Sequence, residues 1–142
     1  MRTDLNMRKG KMVAQGAHAS MKIFFDRLIQ HRDVKPVMDP YDGSRVANLI
    51  PGEVQYGLQG ITKDMEDWIF GSFTKVCVGI ESEAALMDLY DKVKMSGMNI
   101  PCALITDSGL TEFGGVPTVT CCAFGPINED QINPFTGHLK LL

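Results

Sequence analysis

A chain of 142 residues, 44% hydrophobic and 22% charged, fits one compact domain able to bury a core without metal or disulfide staples. It has no apolar run near the ~18 residues of a spanning helix and no apolar leader after Met1-Arg2-Thr3-Asp4, so we expect a cytoplasmic protein with no membrane partner. The net charge is −3, yet residues 1–35 hold eight Lys/Arg against three Asp, a local +5 that leaves −8 for the remainder. Such a split suits either an anion-binding face on an acidic body or a solvated basic helix.

In chain order, Met12 to about Gln30 reads as a long amphipathic helix. Val13, Ala17, Met21, Phe24, Phe25, Leu28 and Ile29 recur mostly three and four apart and predict its core face. Lys11, Gln15, His18 and Lys22 fall at i, i+4, i+7 and i+11 and line a separate polar stripe, which brings a cation, an amide and an imidazole onto one line. Residues 33–61 carry Pro36, Pro40, Pro51, Gly43, Gly52, Gly57 and Gly60 without a lasting period. They predict a long loop excursion from a single domain spanning 1–142.

A short helix over Thr62–Phe70 should be anchored by Trp68 and Ile69. Lys75–Ile80 predicts a buried strand. Ser82 is placed to cap a helix running to about Met95, with Leu86, Leu89, Tyr90 and Val93 inward and Gly97 as its stop. Pro101–Thr106 and Thr118–Phe124 predict two further buried strands, and Asn128 with Gln131 a capping box for a last short helix. Strands alternating with helices imply an α/β fold, a three-layer α/β/α sandwich around a small mixed sheet.

The cysteines Cys77, Cys102, Cys121 and Cys122 all fall on these strand segments, without a C-x-x-C pair or zinc-type spacing, and are expected to be buried apolar side chains. His18, His31 and His138 are too scattered to argue for a metal site.

Two segments carry a resemblance. The run Arg2-Thr3-Asp4-Leu5-Asn6-Met7-Arg8-Lys9-Gly10-Lys11-Met12-Val13-Ala14-Gln15-Gly16-Ala17-His18-Ala19 resembles R-x-D-L-x-M-x-K-G-K-x-x-A-Q-x-x-H-A of the archaeal/eukaryotic-type (type 2) peptidyl-tRNA hydrolases. Leu104-Ile105-Thr106-Asp107-Ser108-Gly109-Leu110-Thr111 resembles the same family's L-I-x-D-A-G-R-T. Thr118-Val119-Thr120, Gly125-Pro126 and the terminal Thr136-Gly137-His138-Leu139-Lys140-Leu141-Leu142 follow in family order, so the likeness covers nearly everything outside 33–61. Ser108 and Leu110 stand where the family pattern has Ala and Arg, which removes one cation. The loop Phe113–Pro117 is about one residue longer than the family's, and most of the strand that precedes R-x-D-L in the family is missing.

The resemblance implies hydrolysis of the ester between peptide and tRNA, without metal or organic cofactor, by a homodimer. It implies a site of Lys11, Gln15, His18, Asp107, Thr111 and Thr120. Asp107, ending a buried strand, could aim or deprotonate a water. Lys11, near a helix N-terminus, could meet an oxyanion or a phosphate. Thr111 and Thr120 offer hydroxyls. No Ser-His-Asp or Cys-His array is evident, so direct attack by water is expected. The basic segment makes Arg8, Lys9 and Lys22 the candidates for holding RNA.

Plainer readings exist for each residue: Asp107-Ser108-Gly109 as a turn, Lys11 and Gln15 as a solvated helix face, His18 as a hydrogen-bonded structural histidine and Thr120 as a β-former. At the level of the whole protein, the alternatives are a non-catalytic tRNA- or protein-binding module on the same fold, or an esterase acting on another aminoacyl or peptidyl ester.

Overall fold

The structure, a computed structural model, describes residues 1–38 and 45–142, with side chains described outside 31–55. Its elements run α1 (Lys9–Phe25), β1 (Leu28–Met38), β2 (Arg45–Leu58), α2 (Lys63–Phe70), α3 (Glu83–Lys94), β3 (Cys102–Asp107), β4 (Thr118–Phe124) and α4 (Glu129–Thr136). They form two compact units, Met1–Asp26 with Ile61–Leu142, and Arg27–Gly60.

In the larger unit β3 and β4 pair antiparallel from Cys102↔Phe124 to Asp107↔Thr118, with a register shift between Ile105 and Thr106. Alternation along the strands gives each face its own helix. Ala103, Ile105 and Cys121 meet Ala19 and Ile23 of α1, while the Phe124 ring stacks toward Tyr90 of α3 at 6.3 Å on the other face. Helices on both faces of a sheet are the expected α/β/α layering.

The sheet continues past β4 by isolated bridges. The Arg2 amide donates to the Thr120 carbonyl, Arg2 bridges Ile80 in parallel, and Val78 bridges Leu141 antiparallel. Residues 1–3 thus form a stub between β4 and 78–80. Beside that stub lies an apolar cavity of about 570 Å³ lined by Gly16 and Ala19 of α1, Leu86 and Leu89 of α3, Cys77 and Cys122. Residues from both helical layers and from β4 line this one cavity.

Several expectations need correction. α1 begins earlier and ends at Phe25, because Leu28 already belongs to β1. Much of its expected apolar stripe faces out: Val13, Met21 and Phe25 are 73%, 50% and 58% exposed, whereas Phe24 packs against the core as expected, and the buried residues are Gln15, Ala19 and Ile23. The small residues let α1 lie close to the sheet, and Gln15 is drawn in by polar partners there. Lys75–Ile80 is not a continuous strand; only Val78 and Ile80 form bridges, and residues 75–77 are exposed. Cys77 is therefore exposed, Cys102 and Cys122 are half-buried, and only Cys121 is buried. α2 is anchored by fully buried Met65, while Trp68 is half-buried and Ile69 is exposed.

Other expectations hold. The Ser82 and Asn128 side chains cap α3 and α4, although Asn128 accepts from the Asp130 amide and not reciprocally with Gln131. Leu86 and Val93 are buried as predicted.

The smaller unit replaces the irregular stretch expected over 33–61. β1 and β2 pair antiparallel from Leu28↔Leu58 to Met38↔Arg45, with register shifts between Arg32 and Val34 and between Lys35 and Val37. The β-branched residues at 34, 37, 46, 50 and 54 favour strands, and Pro51, which has no N–H, sits where the ladder shifts. Pro40 and Gly43, read as loop residues, lie outside the described residues.

Candidate active site

Three pieces of the larger unit converge where β3 ends. α1 carries Lys11 and Gln15 one turn apart, so both side chains project from one face of its first turns. β3 delivers Asp107 at its C-terminal end, and β4 delivers Thr120 from the neighbouring strand.

The Lys11 ammonium stands 2.6 Å from Asp107 Oδ2, and Gln15 Nε2 donates to the same oxygen at 2.7 Å. Asp107 Oδ1 accepts the Gly109 amide at 2.9 Å. Thr120 Oγ1 donates to Gln15 Oε1 at 2.5 Å. Lys11 also donates to Thr111 Oγ1 at 3.0 Å, which leaves one of its three N–H bonds for a further acceptor. Lys11 and Asp107 are each only 13% exposed in their side chains, so their attraction is weakly screened.

The electrostatics decide between the two roles open to Asp107. The Lys11 hydrogen bond, then the Gly109 amide, hold the carboxyl below its ordinary value, against the opposing effect of burial. A carboxylate held this firmly in its charged form is a poor proton acceptor and a strong hydrogen-bond acceptor. It can aim a water but has little pull on its proton.

The sequence places Gly109 where the chain must turn. Its φ is +79°, and a Cβ there would lie 2.2 Å from the Val116 carbonyl oxygen. The turn and the site residue are therefore one device: the tight backbone presents an amide to Asp107. Beyond it, Arg8 at the start of α1 pairs with Glu112 at 2.5 Å, and Lys11 lies 5.5 Å from the Phe113 ring centroid. These partners of the 108–117 loop carry no sequence signal, because a separation of 104 residues has no periodicity to betray it.

Of the sequence-derived candidates, Lys11, Gln15, Asp107, Thr111 and Thr120 share one hydrogen-bonded network. His18 is exposed on the rim of a groove that runs from Asp107 between α1 and β3, outside that network. Arg8 and Lys9 are exposed at the start of α1; Lys22 lies on the later turns, paired with Asp26 at 2.8 Å.

Comparison with known proteins matches the whole chain, residues 1–142, to a family described as peptidyl-tRNA hydrolase PTH2. A peptidyl-tRNA hydrolase of Methanocaldococcus jannaschii is 32% identical over 142 residues, covering 100% of this chain and 95% of that protein. One from Metallosphaera sedula is 31% identical over 144 residues, with 100% and 95% covered. One from Thermococcus onnurineus is 32% identical over 148 residues, with 100% and 92% covered. Full-length agreement with the family and with relatives from separate archaeal genera, on a chain whose N-terminal and β3-end motifs meet in one network, means that this chain belongs to the PTH2 family of peptidyl-tRNA hydrolases.

Proposed function

We propose that this enzyme hydrolyses peptidyl-tRNA at the Lys11–Asp107 centre, adding water across the ester between peptide and tRNA. The hydroxyl of water joins the acyl carbon, the bond from that carbon to the ribose oxygen breaks, and the ribose oxygen leaves with a proton. Asp107, kept ionised by Lys11 and Gly109, aims the water through the remaining lone pair of Oδ1. The free N–H of Lys11 meets the oxyanion. Gln15 fixes the carboxylate's orientation and is itself fixed by Thr120. Thr111 holds Lys11 by accepting one of its N–H bonds, and His18 stands on the rim of the groove that leads from Asp107.

Lys9 at the start of α1 supplies positive charge for the tRNA backbone, with Arg8, paired with Glu112, beside it; Lys22, farther along the helix, is matched by Asp26. Substrate and chemistry suit a cytoplasmic enzyme, and no helix among the described residues is long and apolar enough to cross a membrane. The family resemblance supports a homodimer. Every proposed site residue lies in the unit Met1–Asp26 with Ile61–Leu142, which supports one hydrolase domain with 33–61 as an excursion from it.

The observation that carries this reading is the Lys11–Asp107 pair at 2.6 Å with Gln15 on the same oxygen. Release of free tRNA from N-acetyl-aminoacyl-tRNA tests it. Asp107→Asn keeps the shape and removes the charge, and should slow release by at least about 10²-fold while tRNA binding changes little. Near-normal turnover by folded Asp107→Asn would refute the assigned centre.

A further inference from the structure

β3 is an edge strand. It pairs with β4 on one side, and among the described residues no strand pairs with its other side. Every second residue of an edge strand points its N–H and C=O away from its neighbour, so β3 presents such backbone groups over Leu104–Thr106 along that side. A groove follows this edge. Leu104 and Thr106 stand on its strand side, and Gln15, His18, Met21 and Phe25 on its α1 side. It begins at Asp107.

We propose that the peptidyl part of the substrate docks in this groove as an added strand along Leu104–Asp107 on the outer edge of β3, recognised through its backbone. The inference rests on the hydrolysis of peptidyl-tRNA argued above. An ester held at Asp107 has two arms. The tRNA arm is polyanionic and is drawn to Lys9 at the start of α1, where the helix dipole adds positive charge and the neighbouring Arg8 is held by Glu112. The acyl arm leaves along α1 in the other direction. There the wall offers Met21 and Phe25, 50% and 58% exposed, and the one cation, Lys22, is matched by Asp26. That wall suits a neutral chain of mixed side chains and not a phosphate backbone.

The dimensions agree. Gln15 to Phe25 spans ten residues of α1, about 15 Å at the helical rise, which accommodates roughly four extended residues. With its esterified carbonyl at the Asp107 end, the peptide runs parallel to β3. Pairing of this kind reads main-chain groups and leaves side chains pointing alternately into the groove and out of it. An enzyme that accepts many peptide sequences on one ester chemistry gains binding this way without selecting among them.

The test uses the full chain and a set of N-acetyl-peptidyl-tRNAs of one to five residues, assayed as kcat/KM for tRNA release. The rate should climb over the first three or four residues and then level. N-methylation of single peptide amides should slow release by roughly three- to tenfold at alternate positions, the size of one net backbone hydrogen bond, and be near neutral at the positions between. Rates indifferent to length and to N-methylation everywhere, with N-acetyl-aminoacyl-tRNA still cleaved, would overturn the strand docking and leave the hydrolase reading standing. Failure to cleave any of the set would strike at the hydrolase reading itself. An amide-linked peptidyl-adenosine, which is not cleaved, gives a readout without turnover. It should slow backbone hydrogen exchange within residues 104–108, and unchanged exchange there at saturation overturns the proposal as well.

Discussion

Thr120 and Gln15 are both fully buried and hydrogen-bond each other, the hydroxyl donating to Oε1. This single bond dictates which way the Gln15 amide faces. An ionised carboxylate only accepts, so the NH₂ must point to Asp107 and the carbonyl must find its donor elsewhere. Thr120→Val keeps the shape and removes that donor. Among the described residues no buried side-chain N or O lacks a partner, so the variant would create the first. It should cost about 1–3 kcal/mol in thermal unfolding and slow tRNA release, because Gln15 can then turn away from Asp107. Thr120→Ser should restore both. Wild-type stability and rate in Thr120→Val would show that Gln15 is held by something else.

Lys11 and Asp107 act as one unit. Lys11→Ala should slow release by roughly 10²–10³-fold, as expected for losing one donor to a developing oxyanion. Combined with Asp107→Asn, the loss should be smaller than the product of the two separate losses, because parts of one site do not contribute independently. Fully multiplicative losses would place the two residues in separate steps.

The pH profile should carry the mark of the Lys11 bond. Asp107 is held below its ordinary value chiefly by Lys11. Its folded-state pKa being lowered, its contribution to stability is fully present above the unfolded value, about 3.9, and is lost only as pH falls through the lowered value. Its contribution to turnover follows the same titration, so the acid limb of tRNA release should lie below about 3.9. In Lys11→Ala the limb of the residual activity should move up toward the ordinary carboxylate value. A limb that stays put would mean another group sets it.

Charge at the rim should tune tRNA affinity through salt. Lys9→Ala should weaken binding and flatten the log–log salt dependence, by roughly 0.7–0.9 for each phosphate that is no longer neutralised, whereas Lys22→Ala, which removes a cation already matched by Asp26, should do neither. Leu110, 82% exposed on the loop after Asp107, stands where the family pattern has Arg. Leu110→Arg should tighten binding at low salt and steepen the slope by a similar amount. Binding unmoved by both the Lys9 and the Leu110 change would locate the tRNA elsewhere.

The cavity of about 570 Å³ beside the stub is lined by Met1, by Cys122 and Ala123 of β4, and by Val76 and Val78. A strand-forming apolar segment fused ahead of Met1 would enter it, and each side chain it buries contributes about 1.5–3 kcal/mol. The unfolding midpoint should rise by at least about 4 °C. An unchanged midpoint would show that the slot does not accept a strand.

The parts of this fold that were legible in the sequence are those set by local rules. Ser82 and Asn128 read as caps because their side chains answer the first unsatisfied amides of a helix. Thr118–Phe124 read as a strand from its β-branched and small residues, and appears with those bounds. α1 misled because periodicity reports where apolar residues cluster, and here the buried face is defined by Gln15, whose polar partners lie about ninety and more residues away. The β1–β2 ladder was hidden by glycine and proline, which read as breakers, whereas Pro51 sits at a register shift. Lys11, Asp107 and Thr120 were named from motifs; the bonds that make them one centre belong to the packing alone.

Residues far apart in the chain are stitched into the same few rungs. The Arg2 amide reaches the Thr120 carbonyl, the Gly79 amide the Lys140 carbonyl, and the Leu142 amide the Cys77 carbonyl. Synthesis is vectorial, and domains fold as units once enough of the chain has emerged. A copy still being translated has α1 with Lys11 and Gln15 long before it has Thr120 or the closing edge at Leu142. The hydrogen-bonded network of Lys11, Gln15, Asp107 and Thr120 therefore cannot be complete until a further 105 residues have followed Gln15.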